Sequence, residues 1–516
     1  MATILRPKVT IDIIPAFQTI QNETQKVLFV GQMTTAGSAT AGQLYTNIEN
    51  NNQEDALFGR KSMLATMIRA AKRINKISRF DAIPLDDAGA ATASVGNIQF
   101  SGTASASGIF KVFVGSKLNN YYELSVANTD TADDIGSQLE ALINADTTSL
   151  VTAVNTSGDV ALTAVNKGLE GDRITLSIEG EVTNISVTLT KFTGGGTNPT
   201  LTNIFDVVGN LRYQTVIWPS TYDLTELTTF LDNRFDVEDR ILDGVGFVSI
   251  TDSFSGLKTT ANAKNTQNLV ILGNQAVLQT YYVGGAIFEM DYVIAAYFGA
   301  IHALRLSPDA DISRYVISTQ GALDSIGGVG LATKPYFNTP FYYLPLIDHD
   351  KQFTDEEVDE LTEAGATILG NNPANDIIIA ADVVTTYKRD IASNKDLSYK
   401  YLNYVDTASN IREFFQNNLR TRFQQSRLTL GDIVPGRAMA NRGVISGYLI
   451  QLFVTLSTAD YVLVPAGEDA RNYFNQNKTI KLDLELGKVL ITMKTPIVTQ
   501  LRKIEIPMQL SFSTNS

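Results

Sequence analysis

The sequence predicts a multi-domain α+β protein: an α/β core, an inserted β-rich domain, and extended strand arms at the N- and C-termini. Three observations lead there. Strand-length apolar runs alternate with helical periodicity from about residue 199 to 400. Composition shifts to Gly, Ser, Thr, Ala and Val between about residues 94 and 198. Both ends of the chain carry alternating strands.

The elements follow in order. Residues 1–26 form the N-terminal arm, where "VTIDII" places Val9, Ile11 and Ile13 on one face before Pro15 closes the strand. Residues 27–93 open the core with "VLFVG" (Val27–Gly31), a buried strand. A helix follows in "LFGRKSMLATMIRAAKRIN". Gly59 breaks what precedes it, Ser62 caps it, and Met63, Met67, Ala70 and Ile74 recur at spacings of three and four.

Residues 94–198 are the insert. Strands are expected at Ile109–Gly115, Tyr121–Ala127, Val160–Asn166, Arg173–Ile178 and Ile185–Phe192, interrupted by a helix over Thr131–Ala145. "TGGGTNP" (Thr193–Pro199) reads as a hinge. The core resumes over 199–400 with strands at Tyr213–Pro219, Gly244–Ile250 and Asn268–Gly273. Helices are expected at Asp223–Asp239, Gly284–Leu304 and Thr354–Leu369, then a strand at Asp376–Asp382. Alternating β and α units argue a mainly parallel sheet with both faces covered. A C-terminal domain, 401–499, holds helices Ile411–Leu428 and Arg437–Leu456 and then strands. The last arm, 500–516, is "LRKIEIPMQLSF" and its tail, with Ile504, Ile506, Met508 and Leu510 on one strand face.

Composition removes whole classes of chemistry. The 516 residues include no cysteine, so disulfides, thiol nucleophiles and cysteine-based metal sites are out. The two histidines, His302 and His349, cannot make a three-His zinc site. No phosphate-loop, H-E-x-x-H or G-x-S-x-G motif occurs, and "GGVGLA" (Gly327–Ala332) fits no phosphate fingerprint. "DHD" (Asp348–Asp350) reads as a solvated turn rather than a metal site, and "TDEEVDELTE" as acids suited to a helix N-terminus. No catalytic, cofactor-binding or metal residue is therefore nominated. A net charge of −13 argues against a nucleic-acid partner, and no run reaches a membrane span.

Against that acidic background, Ala56–Phe80 holds seven basic residues and no acidic one. Arg69, Lys72, Arg73 and Lys76 lie on its helix as a candidate charged interface, to be set against an ordinary solvated face. The ends are basic too. Residues 478–516 carry +3 and residues 1–26 carry +1, leaving −17 for the body between. An alternating terminal strand must pair its backbone, either inside its own domain or in a neighbour's sheet.

In their order along the chain, "LFGRKSMLATMIRAAKRIN", "VGNIQFSGTASASGIFKVFVGS", "EVDELTEAGATIL", "DLSYKYLNYVDTASNIREFFQNNL" and "KTIKLDLELGKVLITMKTPIVTQLRKIEI" resemble the contractile tail sheath proteins of bacteriophages. The resemblance implies a structural subunit, not an enzyme, that needs no cofactor. It implies homo-hexameric rings stacked into a helical sheath around a tail tube protein, with baseplate and tail terminator proteins as further partners. The insert would project outward, and the arms would add strands to neighbouring subunits. Such a sheath assembles in the host cytoplasm, resides in the virion tail, and contracts to drive the tube through the host envelope. The resemblance also implies a tube-facing helix in the C-terminal domain; Ile411–Leu428 is the candidate, with Arg412, Arg420, Arg422 and Arg427. A phage-like bacteriocin or other contractile injection system is the nearest alternative, and another virion tail protein such as a fibre a more distant one.

Overall fold

The computed structural model describes residues 25–498, apart from 77, 117–120, 236–240, 280, 307–351, 372–376, 435 and 459–462. The terminal residues Val9, Ile11, Ile13, Ile504, Ile506, Met508 and Leu510, the "GGVGLA" glycines and "DHD" lie outside the described residues.

The core is a twisted sheet with a parallel centre. Its first strands are β1 (Lys26–Gln32) and β2 (Arg79–Leu85), separated by helices α1 (Gln53–Phe58) and α2 (Met63–Ile74). β1 pairs in parallel with β2 on one side and with β10 (Thr215–Ile217) on the other. Beyond β10 come β11 (Val245–Asp252), β12 (Leu269–Gln279) and β14 (Ala366–Asn371), each parallel to the one before. The strand runs are almost wholly apolar, as strands covered on both faces require.

Connecting helices provide the cover: α4 (Leu224–Asp232), α5 (Phe254–Asn262), α6 (Asp291–Leu306) and α7 (Asp355–Ala364). α2 and α6 lie on one face, where Gly299 brings α6 against Ile217 and Phe298 packs 5.3 Å from Phe247. α4 and α5 lie on the other, with Leu227 and Leu231 over Gly246 and Leu257 over Gly273. From Tyr292 to Leu304 every non-glycine side chain of α6 is buried. At about 1.5–3 kcal/mol for each large apolar side chain removed from water, α6 is the main hydrophobic tie of this core.

Several boundaries differ from the sequence reading. The helix expected at Ile411–Leu428 runs over Leu402–Phe423, and Arg427–Leu428 form a short strand. Gly284–Leu304 is not one helix: β13 (Tyr282–Gly285) pairs antiparallel with the far half of β12, and the helix begins at Asp291. Thr354–Leu369 divides in the same way. Gly365, with φ of 94°, ends α7 in the left-handed region that glycine tolerates, and β14 starts at once. β15 (Ile377–Ile379) then pairs back on β14.

Residues 95–193 build two sheets around α3 (Ala132–Ala145). One contains β3 (Val95–Gly102), β6 (Val151–Thr156), β7 (Asp159–Ala164) and β9 (Ile185–Thr193), in the order β6-β7-β3-β9. The other contains β4 (Gly108–Val114), β5 (Tyr121–Val126) and β8 (Leu176–Glu179). β8 pairs with β13, so this second sheet continues the core sheet rather than standing apart from it. Thr131 caps α3 in a reciprocal box with Asp134.

Beyond the core, α8 (Leu402–Phe423), α9 (Arg442–Leu456) and α10 (Glu468–Gln476) pack with the hairpin β18 (Lys478–Asp483)–β19 (Lys488–Met493) around a second apolar cluster. Its centre is the ring stack of Phe415, Phe474 and Phe453. The short pair β16 (Arg427–Leu428) and β17 (Met439–Ala440) joins α8 to α9.

One buried acid joins the second insert sheet to the core. Glu289, just before α6, is 3% exposed and accepts a 2.6 Å hydrogen bond from the Ser116 hydroxyl at the end of β4. Burial raises its pKa to about 7, against the lowering effects of Ser116 and the Met290 backbone N–H. The folded chain thus holds this proton more tightly than the unfolded chain does. The resulting stabilisation is complete below about pH 4.5 and is lost as pH rises through about 7. Thermal denaturation across pH 5–8 should show a decline in stability that Glu289→Gln flattens; an unchanged decline in the variant would assign it elsewhere.

Candidate assembly surfaces

The basic stretch that begins the first core is largely answered within the chain. Ser62 accepts from the Ala65 N–H and starts α2, which sets its cations beside the acids of α1. Arg69 is ion-paired with Asp55 and also donates to the Arg60 carbonyl and the Thr66 hydroxyl. Lys72 Nζ lies 2.5 Å from Glu54, itself only 2% exposed, and 2.7 Å from the Asn50 carbonyl. Arg60 reaches Asp55 at 3.5 Å, and Arg79 reaches Asp81 at 3.0 Å. Of the candidate interface residues, Arg69 and Lys72 are thus turned inward. Arg73 and Lys76 are exposed at the helix end, and Arg73 approaches the Tyr297 hydroxyl at 3.5 Å.

α8 separates its arginines in the same manner. Arg412 lies 3.2 Å from Asp243 and stacks over Phe235, 5.3 Å from the ring centroid. It serves the inside of the chain. Arg420 and Arg422 are exposed near its far end and Arg427 beyond it in β16, with Arg422 5.9 Å from the Tyr448 ring centroid. The helix's apolar residues Phe414, Phe415, Leu419 and Phe423 all belong to the second cluster.

Arg412 is one member of a buried polar network that sequence reading missed. Arg212 is 7% exposed; its guanidinium donates to Glu413 at 2.6 Å, to the Ser409 hydroxyl at 3.0 Å and to the Asp243 carbonyl at 3.2 Å. Ser409 in turn donates to the Asp243 carboxylate at 2.8 Å. One turn earlier, Asp406 lies 3.2 Å from His302 Nε2, while His302 Nδ1 meets the Thr215 hydroxyl at 2.8 Å. Both ring nitrogens are occupied, which makes His302 a structural core residue. These partners come from β10, the segments that lead into β10 and β11, α6 and α8, up to 201 residues apart, so no local spacing could announce them.

The third surface is the β18–β19 hairpin. Its inner residue Ile480 is buried, whereas Leu484, Leu486 and Leu490 are exposed. The strands pair with each other over six residues and with no other strand among the described residues. Nor, among those residues, is there a group of three or more His, Asp or Glu that could hold a metal ion. No described helix is long and apolar enough to cross a membrane.

The Mu-like prophage FluMu tail sheath protein of Haemophilus influenzae is 26% identical over 467 residues, covering 89% of this chain and 87% of that protein. The chain is a homologue of a tail sheath protein. No protein-family model matches it. Among solved structures, a sheath tail protein from Desulfitobacterium hafniense is 12% identical at a TM-score of 0.44, covering 97% of this chain and all of the other. The helical sheath of the anti-feeding prophage in its contracted state is 10% identical at a TM-score of 0.45, covering 99% of this chain and all of the other.

The buried network makes a prediction for this homologue. Removing one partner of a buried ion pair strands the other, at about 3–5 kcal/mol. Asp243→Ala should cost about 3 kcal/mol and expose the segment after α8 to limited proteolysis. Thermal denaturation with mass mapping of the fragments measures both; wild-type resistance in the variant would show that the network does not secure this segment.

Proposed function

We propose that the protein is a tail sheath subunit of a contractile phage or phage-like particle, a structural part rather than an enzyme. The observation that carries this reading is the likeness to a prophage tail sheath protein across 89% of the chain. In the finer reading, six subunits form a ring, and rings stack helically around a tail tube protein between baseplate and terminator proteins. Assembly takes place in the host cytoplasm and the product resides in the virion tail. Contraction is a change between two packings of nearly rigid subunits, which drives the tube through the host envelope.

The terminal arms link neighbours in this reading. Strands bearing Val9, Ile11 and Ile13, and Ile504, Ile506, Met508 and Leu510, add to the β18–β19 hairpin of adjacent subunits. One point supports that acceptor: a two-stranded hairpin is marginal by itself, and a third strand and a packed face stabilise it. The exposed Arg420, Arg422 and Arg427 are assigned to the tube, and Arg73 and Lys76 to an acidic face of a neighbouring subunit. Arg69, Lys72 and Arg412 keep their intrachain partners.

Negative-stain microscopy of the purified protein at high concentration should show long striated hollow tubes. A chain truncated after Leu501 should fold yet remain as single subunits. Long tubes from the truncated chain would place the strand inside its own subunit. Reversing Arg420, Arg422 and Arg427 to Glu should leave self-assembly intact and abolish wrapping on preformed tubes; unchanged wrapping would remove the tube assignment.

A further inference from the structure

We propose that the seam between the insert and the core is a proton-operated latch: Glu170 and Asp291 retain a proton while the seam is closed, and its loss lets the turn Leu169–Arg173 lift from the core. The latch is built from contacts within one subunit and does not depend on the sheath reading.

Glu170 lies in that 3-10 turn, between β7 and β8, and is 3% exposed. Its Oε1 crosses to the core just after β10, where it accepts from the Thr221 N–H at 2.7 Å and the Ser220 hydroxyl at 3.1 Å. Its Oε2 is buried and has no hydrogen-bond partner among the described residues. Glu170 lines a cavity of about 20 Å³ between Leu150 and Ala164 of the insert and Met63, Met290 and Tyr292 of the core. That space takes one water, not the hydration shell of a charge. A carboxylate oxygen left unpaired there is costly, and a proton on the carboxyl removes the charge.

Asp291 adds to the cost. It is 2% exposed at the head of α6 and accepts from the Thr251 hydroxyl at 2.6 Å and the Thr251 N–H at 3.1 Å, at the end of β11. Burial raises both carboxyls above the ordinary carboxylate range, and the charge of Asp291 raises Glu170 further. The Thr221 N–H acts against this on Glu170, and the charge of Arg173 acts against it on both acids. The Arg173 guanidinium donates to the Thr251 carbonyl at 2.8 Å. Lys61, at the cavity edge, is half-buried, and its charge acts on Asp146. The other titratable groups around Glu170 are Tyr222, Tyr292 and, beyond Tyr222, Asp87; none brings a positive charge. Glu289, two residues before Asp291, closes the other end of the seam through Ser116.

The closed seam therefore holds a proton that the open seam gives to water. Closure is strongest below the ordinary carboxylate range, about pH 4, and weakens as pH rises through the raised values.

The chain has no cysteine, so Ala164→Cys places a single thiol on the cavity wall, where Gly171 of the same turn covers it. Glu289→Gln is the background throughout, which removes the other proton held at the seam. A maleimide reaches this thiol only when the turn lifts. Its labelling rate is divided by that of Thr188→Cys, exposed on β9, which cancels the effect of thiol ionisation. The ratio should rise between pH 5.5 and 8, by up to about tenfold per unit. Glu170→Gln keeps an acceptor for the Thr221 N–H without the charge and should hold the ratio low across the range. Asp291→Asn should reduce the slope, and it decides the matter alone if Glu170→Gln does not fold. A ratio that stays flat in the parent chain, or one that rises as steeply in either folded variant as in the parent, overturns the proposal.

Discussion

The structure depends on one helix having to satisfy two apolar clusters at once. The first half of α8 places Leu402 and Val405 in the core of the large sheet, and the second half places Ile411, Phe414 and Phe415 in the C-terminal cluster. Between those halves the helix carries Asp406, Ser409, Arg412 and Glu413, which meet His302, Arg212 and Asp243. A guanidinium as buried as Arg212 is costly unless every direction around it is paired. That requirement fixes the rotation of α8, and so the placement of the C-terminal elements against the sheet. Geometry, more than net stability, is what such a network supplies.

The same economy appears where the insert meets the core. The sheet continues through β13 into β8, and Ser116 and Glu289 close the seam beside it. In the proposed sheath, subunits would move as nearly rigid bodies, and a continuous sheet plus a pinned helix suits that demand better than flexible linkers do. In that reading the contact surfaces are the hairpin and the exposed ends of α2 and α8.

Much of this fold was legible in the sequence where the signal was local. Met63, Met67 and Ala70 at helical spacing with Ser62 in front gave α2, and the apolar runs near Val27, Val245 and Leu269 gave three parallel strands. Strand β2 escaped because it carries Asp81 in its middle. That carboxylate is fully buried and satisfied by Tyr213, Asn47 and Arg79, partners that only the fold assembles. The basic stretch misled for a simpler reason. Counted from Ala56 it holds no acid, yet Glu54 and Asp55 lie immediately before it, and the turn between α1 and α2 folds them back onto Lys72 and Arg69. Charge counted along a chain says little until a turn decides what faces what. The arginines of α8 and β16 repeat the point: one sequence cluster divides into Arg412 inside and Arg420, Arg422 and Arg427 outside.

Native-state hydrogen exchange along Leu402–Phe423 tests the central claim most directly. If one helix truly fuses the two clusters, its buried amides on both sides of Ser409 should exchange together, slowly, in a single cooperative opening. Exchange of 411–423 in step with α9 and α10, with 402–408 still protected, would show two independently opening units and contradict the account.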